Sequence, residues 1–225
     1  MTAPRKTAAF IFDIDGTIID SMPFHLRAWD AFFARHRLPA AGADFFRRTA
    51  GRNGADIMRE VFGPLSDEEA RALVREKESL YRELFAPEFR EIAGFTTFVS
   101  AAKAMGIRLA CASAGDPDNI EFALSGLGLR ELFDATVGAY DVERGKPEPD
   151  MFLLAAERVG TRSSECLVFE DAPLGIEAAR RAGMLAVAIG TGIPADELAA
   201  SGNVVAQAPN FGPLDAASLI ERHFV

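Results

Sequence analysis

The sequence predicts an α/β fold: a doubly wound parallel sheet with a small α-helical cap inserted near its start. From residue 95 onward, short apolar runs alternate with helical patterns, and the runs stay apolar throughout. Such runs are typical of strands buried on both faces, as in a parallel sheet covered by helices on both sides. Residues 21–91 break this alternation, because they show helical patterns only.

The chain begins with a few basic residues followed by an apolar stretch, as a signal peptide would. That stretch is short, it is broken by Asp13 and Asp15, and no small-residue cleavage site follows. We therefore interpret it as a buried strand, the first strand of the sheet.

The predicted cap follows this first strand. Its helices are expected at 23–37, about 42–49, 53–62 and 66–86. Ser66 and Glu69 have the spacing of a capping box at the start of the last of these helices. The cap is accordingly predicted at 21–91, and the α/β core that carries the catalytic site at 1–20 and 92–225.

Strands and helices then alternate along the core. The predicted strands are 107–112, 135–139, 166–170, 185–189 and 203–206. A helix is predicted at 117–126, and further helices begin at Pro149 and Pro173, because proline suits the first helical turn. Gly183 ends the last of these, as glycine often does at helix C-termini.

Composition excludes several classes of protein. Hydrophobic residues make up 49% of the chain and charged residues 25%, which is ordinary for a globular protein. No apolar run approaches the length of a membrane span, and the net charge of −9 comes without a basic stripe. We therefore expect no membrane and no nucleic acid as partner. Cys111 and Cys166 lie in apolar runs, so we interpret them as two buried thiols in a reducing cytosol instead of a disulfide or a metal pair. A cytoplasmic protein is therefore expected. We also expect a monomer or a weak dimer.

Two acidic pairs follow predicted strands. Asp13 and Asp15, with Gly16 beside them, follow the first strand, and Glu170 and Asp171 come at the end of a later one. The carboxyl ends of parallel strands meet at one edge of the sheet, where ligands bind. Close carboxylates repel one another unless a cation holds them, and Mg²⁺ prefers oxygen ligands. The pattern favours a Mg²⁺ site formed by these four acids over two strand ends with solvated carboxylates.

Lys146 and Ser113 are weaker signals. Lys146, in the segment 145–150, lies after a predicted strand and could neutralise both an acidic nucleophile and a phosphoryl group. Taken alone, it is more simply a lysine in a turn. Ser113 directly follows the strand 107–112 and precedes a helix, so it could offer its hydroxyl and backbone N–H groups to phosphate.

Together these segments resemble the haloacid-dehalogenase superfamily. The resemblance rests on DxDGT at 13–17, Ser113, GKPxPD at 145–150 and FEDAPLGIEAA at 169–179, which occur in the expected order at predicted strand ends. The helical insertion is similar to the subgroup with a small α-helical cap, which includes phosphoglycolate-phosphatase-like enzymes, sugar phosphatases and β-phosphoglucomutase. The resemblance implies a Mg²⁺-dependent enzyme that acts on a small phosphorylated metabolite.

The resemblance also implies catalytic roles for the matching residues. Asp13 would be the nucleophile that accepts the phosphoryl group. Asp15 would protonate the leaving oxygen and then activate water. Ser113 and Lys146 would bind the phosphoryl oxygens. Dehalogenase members of the superfamily lack the second acid and phosphonate-cleaving members replace it, so the presence of Asp15 favours phosphate-ester chemistry.

The same resemblance implies the metal ligands. Asp13, the backbone carbonyl of Asp15, and Asp171 would bind Mg²⁺. Glu170 would lie alongside and bind the ion either directly or through water.

Four residues of the predicted cap are candidates for contact with the substrate: His25, Trp29, Arg52 and Lys77. His25 and Trp29 share one helix face, and the segment 24–29 is similar to a cap helix of β-phosphoglucomutase. The alternative is that Trp29 belongs to the core of the cap, with His25 as its polar neighbour. Lys77 interrupts an apolar stripe and aligns with a cap lysine of the mutase, so it either extends to an edge or points at a partner.

The chain also departs from the mutase pattern. In the mutase a Lys and an Arg of the cap loop grip the phosphate that is not transferred, whereas here Ala50 and Gly54 stand at those positions and Arg52 is shifted by one. After Ser113 the mutase has further Ser, Lys and Asn groups, but this chain has Asp116. Hydrolysis is therefore favoured, with a sugar-phosphate mutase as the alternative. A non-catalytic binding protein is a third hypothesis, and it would lack one of the catalytic residues, all of which are present.

Overall fold

The computed structural model describes residues 8–49, 51–191, 193–198 and 202–224. Within these ranges the strands are β1 (Ala9–Phe12), β2 (Arg108–Ala112), β3 (Ala135–Val137), β4 (Cys166–Glu170), β5 (Leu185–Ile189) and β6 (Val204–Ala208). They form one sheet in the order β3-β2-β1-β4-β5-β6, and every neighbouring pair is parallel. This order places the turning point of a doubly wound sheet at β1.

Helices connect and cover these strands. The α-helices of the described ranges are α1 (Met22–Arg35), α2 (Gly42–Thr49), α3 (Gly54–Phe62), α4 (Asp67–Phe85), α5 (Phe95–Ala104), α6 (Pro117–Gly126), α7 (Asp150–Arg158), α8 (Pro173–Arg181), α9 (Ala195–Leu198) and α10 (Ala216–His223). The prediction of a doubly wound α/β fold with a block of helices after the first strand is confirmed. The capping box of Ser66 and Glu69 at the start of α4 is also formed.

Three strands differ in their bounds from the prediction. The strand predicted at 107–112 begins one residue later, at Arg108. The predicted strand 135–139 ends at Val137, because the backbone N–H of Gly138 donates to the Asp141 side chain instead of a neighbouring strand. The last strand runs to Ala208, two residues further than predicted.

Alternate residues of β1 pack on opposite faces of the sheet. Phe10 and Phe12 face a layer that includes α5 and the Phe211 ring, and these aromatic groups pack edge to face or stacked. Ala9 and Ile11 face the other layer, which contains α7 and α8. Both layers are buried, which explains why the strand is apolar at every position. Cys111 and Cys166 lie in these layers as buried free thiols.

The block of helices α1–α4 is connected to the rest of the chain by two segments that run side by side. The Asp20 N–H donates to the Arg90 carbonyl at 3.1 Å, and the Ile92 N–H donates to the Ile18 carbonyl at 2.8 Å. The entry and exit of the block therefore lie together, close to the predicted boundaries at 20/21 and 91/92. The division into two domains stays a prediction.

In the described ranges, no helix has both the length and the apolar character needed to cross a membrane.

Candidate active site

Polar residues from four strand ends meet at one edge of the sheet. Asp13 follows β1, Ser113 follows β2, and Asp171 follows β4. Lys146 comes from the loop after β3. β1 lies between β2 and β4, so the crevice forms where the strand order reverses, the usual position of ligand sites in such sheets.

Three of the acids form a compact, buried cluster with Lys146. Carboxylate oxygens of Asp13, Glu170 and Asp171 lie within 4.8 Å of one another. The Lys146 ammonium donates to Asp13 Oδ1 at 2.5 Å and to Glu170 Oε1 at 2.6 Å, and its side chain is fully buried. The lysine thus compensates part of the acidic charge, as expected for Asp13, and its contact with Glu170 is an addition to that expectation.

The charge of this cluster is not fully balanced by Lys146. Burial raises the pKa of Asp13 to about 8, although Lys146 opposes this shift. Burial also raises the pKa of Asp171 well above its usual value, and the neighbouring Glu170 and Asp13 add to that shift. Three carboxylates and one ammonium leave a deficit of positive charge that protons or a cation can fill. An oxygen-only donor set of this kind fits a hard divalent cation.

Two glycines make room for the acids. A side chain at Gly175, in α8, would place its Cβ 1.7 Å from Glu170 Oε1. A Cβ at Gly16 would lie 2.1 Å from Asp171 Oδ2, and the φ of +78° at Gly16 also favours glycine. The Glu170 side chain occupies the space that the missing side chain of Gly175 leaves, and it accepts a hydrogen bond from the Ala172 N–H at 2.7 Å.

The Asp15 carboxylate faces the helices instead of the acid cluster. It accepts hydrogen bonds from the Ser21 hydroxyl at 2.8 Å and the Tyr81 hydroxyl at 3.3 Å, and it lies 3.0 Å from His25 Nε2. Burial would raise the pKa of Asp15, but the charge and hydrogen bond of His25 and the Ser21 bond outweigh it. The pKa of Asp15 is lowered to about 2. Asp15 is thus the predicted metal-binding acid whose side chain does not belong to the cluster of Asp13, Glu170 and Asp171.

Lys77 points into the site. It is 3% exposed, and its ammonium lies 2.7 Å from His25 Nδ1 and 2.9 Å from Glu78 Oε1. The ammonium also lies 5.1 Å from the centre of the Trp29 ring. Of the two possibilities that the sequence left for Lys77, extension to an edge therefore does not occur. Lys77 joins His25, and through it Asp15, in one hydrogen-bonded chain.

The remaining candidates line the same pocket. Trp29 packs edge to face against Phe32, Phe33 and Phe45 and also lines the pocket, so its core and pocket positions are compatible. The Ser113 hydroxyl accepts from the Gly115 N–H at 3.0 Å. Arg52 donates to Glu60 at 2.8 Å.

Ala50, which bears on the comparison with the mutase, lies outside the described residues. Gly54 begins α3 and lines the pocket.

The sequence analysis did not single out Tyr81, Glu78 or Asn119, although Glu78 and Asn119 line the pocket and Tyr81 contacts His25. Tyr81 stacks on the His25 ring at 3.8 Å between centres, and the Asn119 amide donates to Glu78 Oε2 at 2.8 Å. A signal for Tyr81 existed, since it lies one helical turn after Lys77 on the same face. Glu78 and Asn119 are brought together from α4 and α6, and no local pattern indicates such a contact.

The fold and the site define an α/β protein with a polar pocket at the carboxyl ends of a doubly wound parallel sheet, lined in part by the helical block α1–α4. The family model for haloacid dehalogenase-like hydrolases matches residues 7–183. The chain therefore belongs to the haloacid dehalogenase-like hydrolases.

Individual relatives agree with this assignment. The fructose-1-phosphate phosphatase YqaB of Escherichia coli is 36% identical over 81% of this chain and 96% of its own. Hexitol phosphatase A of Escherichia coli is 32% identical over 85% and 86%. The crystal structure of β-phosphoglucomutase from Clostridium difficile has a TM-score of 0.82 at 25% identity and covers 96% of this chain and 97% of that one. Within the family, the chain is a phosphoric monoester hydrolase.

The buried position of Lys146 generates a prediction about stability. In chelator, Lys146→Met should lower the free energy of unfolding by about 3–5 kcal/mol, because it leaves Asp13 and Glu170 buried without their cation. The loss should grow as pH rises. Removing the lysine takes away the charge that opposes the raised pKa of Asp13, so the folded state tolerates the protonated form of Asp13 and loses stability as rising pH removes that proton. Urea unfolding at pH 6 and pH 8 measures both effects.

Lys103→Met is the matched control. Lys103 pairs with Asp134 at 2.9 Å, but its side chain is 33% exposed, so the loss should stay below about 1 kcal/mol. Equal losses in the two variants, or a Lys146→Met loss that shrinks with pH, would contradict this account of the cluster.

Proposed function

We propose that the chain is a Mg²⁺-dependent phosphatase that hydrolyses a small phosphorylated metabolite, a sugar phosphate or a similar ester, through an aspartyl-phosphate on Asp13. The observation that carries the proposal is the position of Lys146, whose ammonium pairs with both Asp13 and Glu170, two residues that line the pocket. The printed names of the relatives, a fructose-1-phosphate phosphatase and a hexitol phosphatase, support a sugar or polyol phosphate as substrate.

The metal would be held by the carboxylates of Asp13 and Asp171 and by the Asp15 backbone carbonyl, with Glu170 alongside. When bound, Mg²⁺ would neutralise charge on the phosphoryl oxygens and on the acids around it. The raised pKa values of Asp13 and Asp171 support this proposal, because they indicate a shortage of positive charge where these residues meet.

The first step transfers the phosphoryl group to Asp13. A carboxylate oxygen of Asp13 attacks phosphorus, and the bond from phosphorus to the leaving oxygen breaks. The leaving oxygen takes a proton from Asp15 and departs as an alcohol. The Lys146 ammonium and the Ser113 hydroxyl bind the phosphoryl oxygens and stabilise the charge that they carry.

The second step releases phosphate. Asp15 takes a proton from water, the water oxygen attacks phosphorus, and the bond from phosphorus to Asp13 breaks. The lowered pKa of Asp15 keeps its carboxyl ionised once it has given up its proton, so it has a free position for the proton of water. A bound phosphoryl group brings negative charge close to Asp15, which raises the pKa of a neighbouring carboxyl and lets the same residue carry the proton of the first step.

The helical block α1–α4 is proposed to act as the cap that covers the substrate. His25, Trp29, Lys77 and Arg52 all belong to it and line the pocket. Since Asp15 is hydrogen-bonded to Ser21 and Tyr81 of the same segment, the position of the block would decide how Asp15 is oriented.

The nucleophile is tested with Asp13→Asn. We expect turnover to fall by several powers of ten, because a lost nucleophile removes the covalent route. Labelling of the protein by radioactive substrate should disappear as well. Asp56→Asn, at an exposed residue of α3, should keep full turnover. An Asp13→Asn enzyme that retains a tenth of the wild-type kcat would exclude Asp13 as the nucleophile.

The metal is tested by removal and replacement. Chelator should abolish phosphate release, and added Mg²⁺ should restore it. Ca²⁺ should restore it poorly, because its larger and looser coordination holds the reacting groups less tightly. Full activity in excess chelator would show that the reaction needs no metal.

A mutase remains the second candidate, favoured by the structural likeness to β-phosphoglucomutase. Phosphorus NMR of a hexose 1-phosphate, with and without a trace of hexose bisphosphate, separates the two. We expect inorganic phosphate in both cases, because water should reach the phosphorylated Asp13. Conversion to the 6-phosphate without inorganic phosphate would identify a mutase.

A further inference from the structure

The part of the pocket that lies between α4 and α6 is acidic. Glu78 comes from α4, and Asp116 precedes α6. Asp116 is 6% exposed. Burial is the largest cause of the raised pKa of Asp116, and the nearby charge of Glu78 adds to it. Both residues line the pocket that contains Asp13, so a leaving group attached to the phosphoryl group would extend towards them.

The lysine and arginine side chains that line the pocket in the described part of the chain, Lys77 and Arg52, are both paired with carboxylates. Arg52 donates to Glu60 at 2.8 Å, and Lys77 donates to Glu78 at 2.9 Å. Neither can offer a full positive charge to a second anion on the substrate without breaking an existing ion pair.

The arginines near the pocket do not supply a free positive charge for a second anion either. Arg82 lies beside the pocket, and its guanidinium is shared between Asn119 at 2.6 Å, Asp116 at 3.7 Å and Asp118 at 3.9 Å. Arg71 and Arg75 are exposed residues of α4 that do not line the pocket, and Arg71 packs over the Tyr140 ring. Their charges are screened by solvent.

The N-terminus of α6 is also occupied. Helix N-termini attract anions because their first N–H groups lack partners and the helix dipole is positive there. Here Asp116 is the N-cap and accepts from the Asn119 N–H at 2.8 Å. Pro117 at the first position has no N–H to offer. The chain's own carboxylate therefore takes the place that a second phosphate would need.

We propose that Glu78 and Asp116 make the pocket selective for monophosphates whose leaving group is neutral and polyhydroxylated, and against substrates with a second anionic group. The inference rests on the proposed phosphatase function. An ionised carboxylate has about four acceptor positions, so both side chains retain capacity to accept from substrate hydroxyls. A second phosphate would meet these two carboxylates, while their cationic partners Lys77 and Arg82 are already shared with them, and such a juxtaposition of like charges disfavours binding.

The test compares matched substrates: fructose 1-phosphate with fructose 1,6-bisphosphate, and glucose 1-phosphate with glucose 1,6-bisphosphate. Phosphate release gives kcat/KM for each. The wild type should prefer the better monophosphate over its bisphosphate by at least about tenfold. Asp116→Asn removes the charge but keeps an oxygen for the Asn119 N–H, and it should raise the ratio of bisphosphate to monophosphate kcat/KM by about tenfold. Glu78→Gln should change this ratio in the same direction, since it also frees Lys77.

Asp118→Asn is the matched control. Asp118 lies in the same helical turn, but its side chain is 73% exposed and does not line the pocket, so neither the activity nor the ratio should change. Equal use of both members of a pair by the wild type would overturn the inference, as would ratios unchanged in both pocket variants. Absence of phosphate release from every monophosphate would instead overturn the proposed function, and the inference with it.

Discussion

Carboxylates crowd into a buried space at the edge of the sheet, and the balance of their charge constrains the rest of the site. Asp13, Glu170 and Asp171 would be unstable there as three uncompensated charges. The Lys146 ammonium compensates part of the charge from the loop after β3, and Gly175 leaves the space in which Glu170 reaches it. The remaining deficit makes a divalent cation chemically appropriate at this edge.

The helical block and the segment that leads into it supply the hydrogen-bond partners of the Asp15 carboxylate, whereas the strand ends supply the acid cluster. Ser21, His25 and Tyr81 all contact the Asp15 carboxylate, and Lys77 extends the chain of hydrogen bonds from His25. The groups proposed to contact the substrate and the groups that hold the Asp15 carboxylate thus belong to the same helical block. In the proposed mechanism this arrangement would couple substrate binding to the orientation of Asp15, since one cannot be displaced without the other.

The sequence predicted the fold and most of the candidate site because both depend on local patterns. Apolar runs identified the strands, and parallel topology then required that Asp13, Ser113 and Asp171 lie at one edge. It did not predict that Glu170 would bond to Lys146, or that Glu78 would meet Asn119. Those contacts join segments that lie far apart in the chain, and they depend on how the helices and loops pack against one another. Helical periodicity determines which residues share a face, but not what that face contacts.

Asp13 and Asp15 show how such packing separates two chemically identical residues. Only Ile14 lies between them, and both line one pocket, so the backbone alone gives them similar positions. Asp13 lies among acids at the strand ends, and burial raises its pKa to about 8. Asp15 lies among donors of α1 and α4, and its pKa is lowered to about 2. A cation beside Asp13 would lower that pKa and give the ionised carboxylate that a nucleophile needs, whereas the donors around Asp15 already keep its carboxyl ionised. Burial among the strand-end acids thus accounts for the raised pKa of Asp13, and contacts with the inserted helices account for the lowered pKa of Asp15.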